Sequence, residues 1–178
     1  MTGTSIKTLH EWAVYHGSDK GKAHKYCDFY QEHIGQPKSI IEFGVLNGSS
    51  LKMWRDAYPG SVVIGLDIEE KTPIDGAFVF KVDATKESWM TRLKPKFDLI
   101  LDDASHVVED QIASFNLWWP LLNKGGCYII EDIHASLFTA YNKSGMDMFG
   151  WVADLPYPKK HYRRSPAETD SMTVIIFK

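Results

Sequence analysis

The chain has 178 residues, 44% of them hydrophobic and 24% charged, with a formal net charge of −3. That length and balance fit one globular domain with a sizeable core. They exclude a global basic field for nucleic acid. No apolar run reaches the ~18 residues of a membrane span, and the first seven residues lack the apolar run of a signal peptide. Cys27 and Cys127, far apart, make neither a disulfide framework nor a Cys-x-x-Cys metal site. The expectation is a reduced, soluble, cytoplasmic protein.

In chain order, residues 5–15 read as a short helix. Thr4 or Ser5 caps it, Leu9, Trp12, Ala13 and Tyr15 give it a partial apolar face, and Gly17 stops it. Gly17-Ser18-Asp19-Lys20-Gly21 follows. Such a polar run is ordinarily a solvated turn. The functional alternative is a flap over a bound ligand, with Lys20 offered to a ligand carboxylate. Residues 26–34 form a second helix, ended by Gly35 and Pro37.

Residues 39–50 read Ser-Ile-Ile-Glu-Phe-Gly-Val-Leu-Asn-Gly-Ser-Ser. An apolar strand ends near Glu42, Gly44 and Gly48 bracket a turn, and Ser49 starts a helix. Strand, glycine turn and helix open a nucleotide-binding unit. The turn is not G-x-G-x-x-G. A strand-end carboxylate suits a cationic or hydroxyl-rich ligand better than a pyrophosphate. S-adenosylmethionine (SAM) offers an ammonium, a sulfonium and a ribose diol. Taken alone, an ordinary βα corner accounts for the stretch equally well.

Helix 49–57 is broken by Pro59-Gly60. Residues 61–67 form a buried strand ending on Asp67. That is roughly 20 residues past the first turn, where a doubly wound fold places its ribose-binding carboxylate. A third strand, 78–82, closes on Asp83-Ala84-Thr85, and a helix through 89–93 stops at Pro95. Strands 97–103 and 127–132 are separated by a long helix, 108–122, with Gly125-Gly126 as the link into the second strand. Two terminal strands, 161–165 and 172–177, are joined by a polar turn around Glu168-Thr169-Asp170. The fold class is α/β: a Rossmann-like, doubly wound, largely parallel sheet with an antiparallel C-terminal strand. A single domain, 1–178, comprises a helical cap over 1–37 and a core over 38–178.

The chemistry gathers where the later strands end. One runs into Asp102-Asp103-Ala104-Ser105-His106, the other into Glu131-Asp132-Ile133-His134. Open parallel sheets bind ligands at that edge. Clustered carboxylates repel by about 4 kcal/mol per pair at ~4 Å and an effective dielectric of 20. A divalent cation relieves this, and oxygen donors select a hard ion such as Mg²⁺. His106 reads as a general base for a hydroxyl held there, against the plainer reading of a helix cap. An imidazole's ordinary titration range suits proton removal near neutrality. His134 is a weaker candidate. Trp118-Trp119 reads as core. Residues 159–164, rich in Lys and Arg, read as a solvated edge rather than a contact for an acidic acceptor.

Several motifs occur together in order: Gly-Ser-Asp-Lys-Gly with His24 and Tyr26; Ile-Glu-Phe-Gly-Val-x-x-Gly-Ser-Ser-Leu-Lys-Met-Trp; Ile-Gly-Leu-Asp-Ile; Asp-Asp-Ala-Ser-His; and Ile-Glu-Asp-Ile-His. Over residues 9–134 the chain thereby resembles the metal-dependent macrolide-sugar O-methyltransferases, class I enzymes of the demethylmacrocin and mycinamicin type. The resemblance implies a SAM site lined by Glu42, Gly44, Asp67, Asp83 and Asp102, Mg²⁺ (or Mn²⁺) on Asp103, Glu131 and Asp132, and His106 as base. Lys20, Asn47, Ser49, Ile68 and Ala84 complete the expected cofactor set. The mycinamicin-type enzymes carry an additional N-terminal domain, whereas this sequence begins almost directly at the catalytic domain. Residues 139–158 match nothing in the pattern.

The expected function is SAM-dependent, Mg²⁺-assisted methylation of a small-molecule hydroxyl, on a glycoside or polyol, in natural-product or saccharide biosynthesis. Catechol-type methylation, SAM binding without transfer, and a nicotinamide oxidoreductase are the alternatives; the absent G-x-G-x-x-G counts against the last. The expected partner is the hydroxyl acceptor, a sugar, with no nucleic acid and no membrane, and a homo-oligomer is left open.

Overall fold

The computed structural model describes residues 7–164 and 171–178. Seven strands form one sheet in the order β3-β2-β1-β4-β5-β7-β6. β1 (Ser39–Phe43), β2 (Val62–Asp67), β3 (Phe78–Lys81), β4 (Phe97–Asp102) and β5 (Leu122–Ile130) run parallel. β7 (Met172–Phe177) is antiparallel to β5, and β6 (Lys159–Arg163) to β7. The chain order reverses between β1 and β4, so the ligand crevice of a doubly wound sheet falls there.

Period-two alternation of apolar side chains builds a core on each face of the sheet. Ile41, Phe43, Ile100, Tyr128 and Ile130 pack on one side. They meet α5 (Trp89–Leu93), α6 (Val108–Trp118) and α7 (Met148–Asp154) through Met90, Val108, Phe115, Trp118 and Val152. Ile40, Leu99, Leu101 and Ile129 point the other way. There they meet α1 (Leu9–His16), α3 (Cys27–His33) and α4 (Ser49–Ala57) through Leu9, Ala13, Tyr30, Leu51 and Trp54. Strands buried on both faces explain the continuous apolar runs of the sequence.

Some boundaries differ from the sequence expectation. α1 starts at Leu9 because Thr8 accepts from the Glu11 N–H while Glu11 caps Thr8 in return, a reciprocal cap. Thr4 and Ser5 lie outside the described residues. Gly17, with φ of 73°, ends α1 as expected. The polar run beyond it is a helical turn, α2 (Asp19–Lys22), with Lys20 buried. Gly125-Gly126 is no linker but lies within β5, because Pro120 ends the preceding helix in a short 3-10 turn (Trp119–Leu121). The antiparallel tail is present, with β7 inside the sheet and β6 as the edge. The expected turn around Glu168-Thr169-Asp170 lies outside the described residues. Residues 139–158, unmatched by any motif, contain α7. Among the described residues, no helix is long and apolar enough to cross a membrane.

The strand ends are locked in register. Asp103 N–H donates to Phe43 O (3.0 Å), Glu131 N–H to Asp102 O (3.0 Å) and Gly44 N–H to Leu66 O (2.9 Å). Gly44 leaves β1 with φ of 90°, and a Cβ there would lie 2.2 Å from the Asp103 carbonyl oxygen. Both the conformation and the close approach require glycine. Gly44→Ala should lower stability by about 1–3 kcal/mol through strain and overpacking, read as a shifted urea midpoint at unchanged slope.

Candidate active site

Two cavities, of about 490 and 500 Å³, flank the β1 turn and share Gly44, Asp67 and Ala104 as walls. The first is lined by Ser18, Asn47, Ser49, Asp103 and His106. The second is lined by Ile68, Asp83, Ala84, Asp102 and Ser114. Together they make a two-lobed cleft over the carboxyl ends of β1, β2 and β4. Most of the expected cofactor residues line it.

Asp67 is held by the backbone: Oδ2 accepts from Val45 N–H and Oδ1 from Glu69 N–H, both at 2.9 Å. Burial works against its charge, but those N–H groups and Lys71 keep its pKa below the ordinary value. Asp83 accepts from Lys86 Nζ (2.6 Å) and from the Thr85 hydroxyl (2.6 Å) and N–H (3.0 Å). Lys86 and Thr85 lower its pKa. Asn47 Oδ1 accepts from Ser49 N–H at 3.0 Å, fixing the turn into α4. Asp102 accepts from the Ser114 hydroxyl, and burial raises its pKa to about 6.

Glu42 and Lys20 do not line the cleft. Both are fully buried behind it. Glu42 Oε2 accepts from Trp54 Nε1 at 2.8 Å, while Oε1 has no hydrogen-bond partner and lies 3.6 Å from Lys20 Nζ. Burial raises the Glu42 pKa to about 7. The Lys20 ammonium, expected to meet a ligand carboxylate, instead bonds Asp103 and Glu131 (3.0 Å to the latter). Burial opposes its charge, yet Asp103, Glu131 and Glu42 outweigh it and hold its pKa well above the ordinary value. Spacing alone does not show this, because Lys20 is 83 residues from Asp103 and 111 from Glu131.

The expected metal ligands are brought together but differ in availability. Glu131 has both oxygens engaged: Oε2 by Lys20 and Oε1 by Tyr30 OH at 2.6 Å. Asp132 Oδ1 accepts from Tyr26 OH at 2.6 Å. The outward cluster is Asp103, Asp132 and His106, with one ligand atom of each within 4.8 Å of the others. His106 Nε2 lies 3.9 Å from Asp103 Oδ1 and 3.7 Å from Asp132 Oδ2. Two carboxylates facing one space fit a divalent cation, with the His106 imidazole beside them. His106 does not cap α6, whose N-cap is Val107. Both His106 (φ 57°) and Asp132 (φ 53°) sit in the left-handed region, a strained conformation that concentrates at functional sites. His134 Nδ1 lies 3.9 Å from Asp132 Oδ1.

Sequence reasoning missed three contributors. Tyr26, quoted within a motif but given no role, and Tyr30, read only as a helix residue, fix the two carboxylates. Ser18 is buried with an unpaired hydroxyl on the wall of the first cavity. The signal available for Ser18 was its place just after the left-handed Gly17.

No family model matches the chain. A tetracenomycin-C rhamnosyl 3'-O-methyltransferase of Streptomyces olivaceus is 32% identical over 146 residues, covering 72% of this chain and 36% of its own. L-olivosyl-oleandolide 3-O-methyltransferase of Streptomyces antibioticus is 31% identical over 157 residues, covering 79% and 41%. Among solved structures, the MycE methyltransferase from the mycinamycin biosynthetic pathway, in complex with Mg and SAH, superposes with a TM-score of 0.80. It is 22% identical and is matched over 99% of this chain and 56% of its own. The chain has the class I methyltransferase fold and resembles the sugar O-methyltransferases. It spans less than half the length of these two curated relatives.

The raised pKa of Glu42 fixes a pH dependence. A carboxyl whose folded-state pKa lies above its unfolded value contributes stability that is complete below about 4.5 and is lost as pH rises through about 7. Glu42→Gln has no such loss. Between pH 5 and pH 8, wild-type stability should therefore fall relative to this variant by on the order of 2–3 kcal/mol, measured by urea unfolding.

Proposed function

We propose that the chain carries SAM-dependent, Mg²⁺-assisted O-methyltransferase activity toward a hydroxyl of a small glycoside or polyol in natural-product or saccharide biosynthesis. The observation that carries this reading is the junction of the two-lobed cleft with the outward cluster. Asp103 and His106 line the same cavity as the glycine turn. Gly44 would hold a methyl donor in the cavity whose wall also carries His106, a proton acceptor. The names of the relatives, each a methyltransferase of a sugar hydroxyl, support the acceptor class.

Asp67 holds a ribose diol with the lone pairs that Val45 and Glu69 leave free. The second cavity, with Ile68, Ala84 and Asp83 on its wall, takes the adenine, giving it apolar contact and a hydrogen-bond acceptor. Asp103 and Asp132 hold the cation, and SAM and that ion supply an electrophilic methyl group and Lewis acidity toward an acceptor oxygen. His106 accepts the hydroxyl proton at Nε2. The two carboxylates 3.7–3.9 Å away stabilise the imidazolium that forms. Leu137 and Phe138, shortly after Asp132, are exposed apolar side chains, which suits an acceptor with an apolar body.

The test is calorimetric titration with S-adenosylhomocysteine, followed by methyl-transfer assays on glycosylated acceptors. S-adenosylhomocysteine should bind the wild type, and Asp67→Ala should weaken it by about 1–3 kcal/mol, the usual loss of a buried hydrogen-bond partner. Unchanged affinity removes Asp67 from the site. His106→Ala should lower kcat by ~10²–10⁴ with S-adenosylhomocysteine affinity nearly unchanged, and EDTA should abolish a turnover that Mn²⁺ restores. Near-normal kcat in that variant, or full activity in EDTA, contradicts the mechanism.

A further inference from the structure

Another cavity, of about 420 Å³, lies outside the cleft. Ile133, Leu137, Phe149 and Met172 give it an apolar wall, and His161, Tyr162 and Arg163 of β6 close the other side. Strand register puts it at the catalytic edge of the sheet. Val174 of β7 pairs with Ile130, and Met172 pairs with Arg163, so β6 ends level with the residues just past β5. Two strand spacings, roughly 10 Å, separate β6 from β5. Ile133 follows Asp132 directly and begins the 3-10 turn (Ile133–Leu137) that borders the cavity. Tyr162 packs edge-on against Tyr26, with ring centroids 5.6 Å apart, and Tyr26 holds Asp132.

The charge of this cavity is opposite to that of the cleft. The cleft is lined by acids, among them Asp67, Asp83, Asp102 and Asp103. None of the described residues lining this cavity is acidic. Burial and Lys159 hold the His161 pKa below its ordinary value, so at neutral pH its imidazole is a hydrogen-bonding group and Arg163 carries the positive charge of the wall. Leu137 is 57% exposed, which leaves the apolar side open to a ligand.

We propose that this cavity is the subsite for the body of the acceptor, and that the acceptor is an amphipathic anion: a sugar joined to an apolar body that ends in a carboxylate or a phosphate ester. The link to an acceptor rests on the methyl-transfer reading above. An apolar wall beside a guanidinium recognises an apolar body with an anionic end. Charge also sets the direction. The carboxylates of the cleft repel the anionic end and Arg163 attracts it, so the neutral sugar end faces Asp132 and His106.

The test is ligand-observed nuclear magnetic resonance on the full chain, with octanoate, octyl phosphate and octanol as probes. Octanoate should bind ~tenfold tighter than octanol, the scale of one charge-assisted hydrogen bond. Arg163→Met should remove that advantage and leave octanol unchanged. Leu137→Ala should weaken all three by ~threefold, since only apolar contact is lost. Octyl phosphate binding tighter than octanoate identifies the anionic group as a phosphate ester, and the opposite order identifies a carboxylate. Mn²⁺ should broaden the terminal methyl of bound octanoate more than its α-methylene, relative to a protein-free control. Failure of octanoate to bind, equal affinity for octanoate and octanol, or unchanged octanoate affinity in Arg163→Met overturns the proposal. The reverse broadening gradient also overturns it, because the carboxylate then sits on the ion. Electron paramagnetic resonance of free Mn²⁺ separates the two causes of absent broadening. An unbound ion defeats the cation reading alone, and the anion preference still decides the subsite; a bound ion without broadening overturns the placement of the cavity beside the acceptor.

Discussion

A single buried ammonium among three carboxylates is the constraint on which the rest of the site depends. β1, β4 and β5 are parallel and in register, so Glu42, Asp103 and Glu131 are delivered to one edge. Two of the three are fully buried, where uncompensated like charges are most costly. Lys20 offsets that cost directly. It also explains the helical cap, since α2 must pack on the sheet for its side chain to reach the strand ends. α1, capped at Thr8 and tied to α4 by His16 Nε2 and Asp56 Oδ2 at 2.7 Å, holds α2 in place.

The cap and the site are therefore one structure. Tyr26 and Tyr30 lie at the start and middle of α3, on the face packed against the sheet. Their rings are part of the core, while their hydroxyls donate to Asp132 and Glu131. Burial and the neighbouring carboxylates push both phenols above their ordinary pKa, so they remain donors. The same packing that buries apolar area thus orients the carboxylates, and only their outer oxygens remain for a ligand.

The cleft follows from a second constraint, the close crossing of chain segments above β1. Gly44 passes against the Asp103 carbonyl, and Gly48 starts α4 against Ile74. Gly44, on the wall of both lobes, adds no side chain to either. Asp67 links them through its bonds to the Val45 and Glu69 backbone. A ligand across the turn contacts backbone and carboxylates whose positions are already fixed, so little ordering is required on binding.

The sequence by itself determined the order and type of nearly every element, the strand-end acids and the glycine turn. These are local signals: apolar runs of strand length, glycine and proline punctuation, and acids immediately after apolar strands. It also brought Gly44, Asp67, Asp83, Asp102, Asp103 and His106 to one edge, because a parallel sheet aligns its carboxyl ends. What tertiary structure alone decided is which groups face each other there. Lys20 meets carboxylates 83 and 111 residues away, and Tyr30 meets one 101 residues away; no local pattern encodes such pairs. Glu131 and Asp132 are adjacent and chemically alike, yet the chain reverses hand at Asp132 (φ 53°), and the two carboxylates diverge. One turns inward to the cap and the other keeps an oxygen toward His106. That division rests on backbone conformation and packing, which residue type alone does not specify.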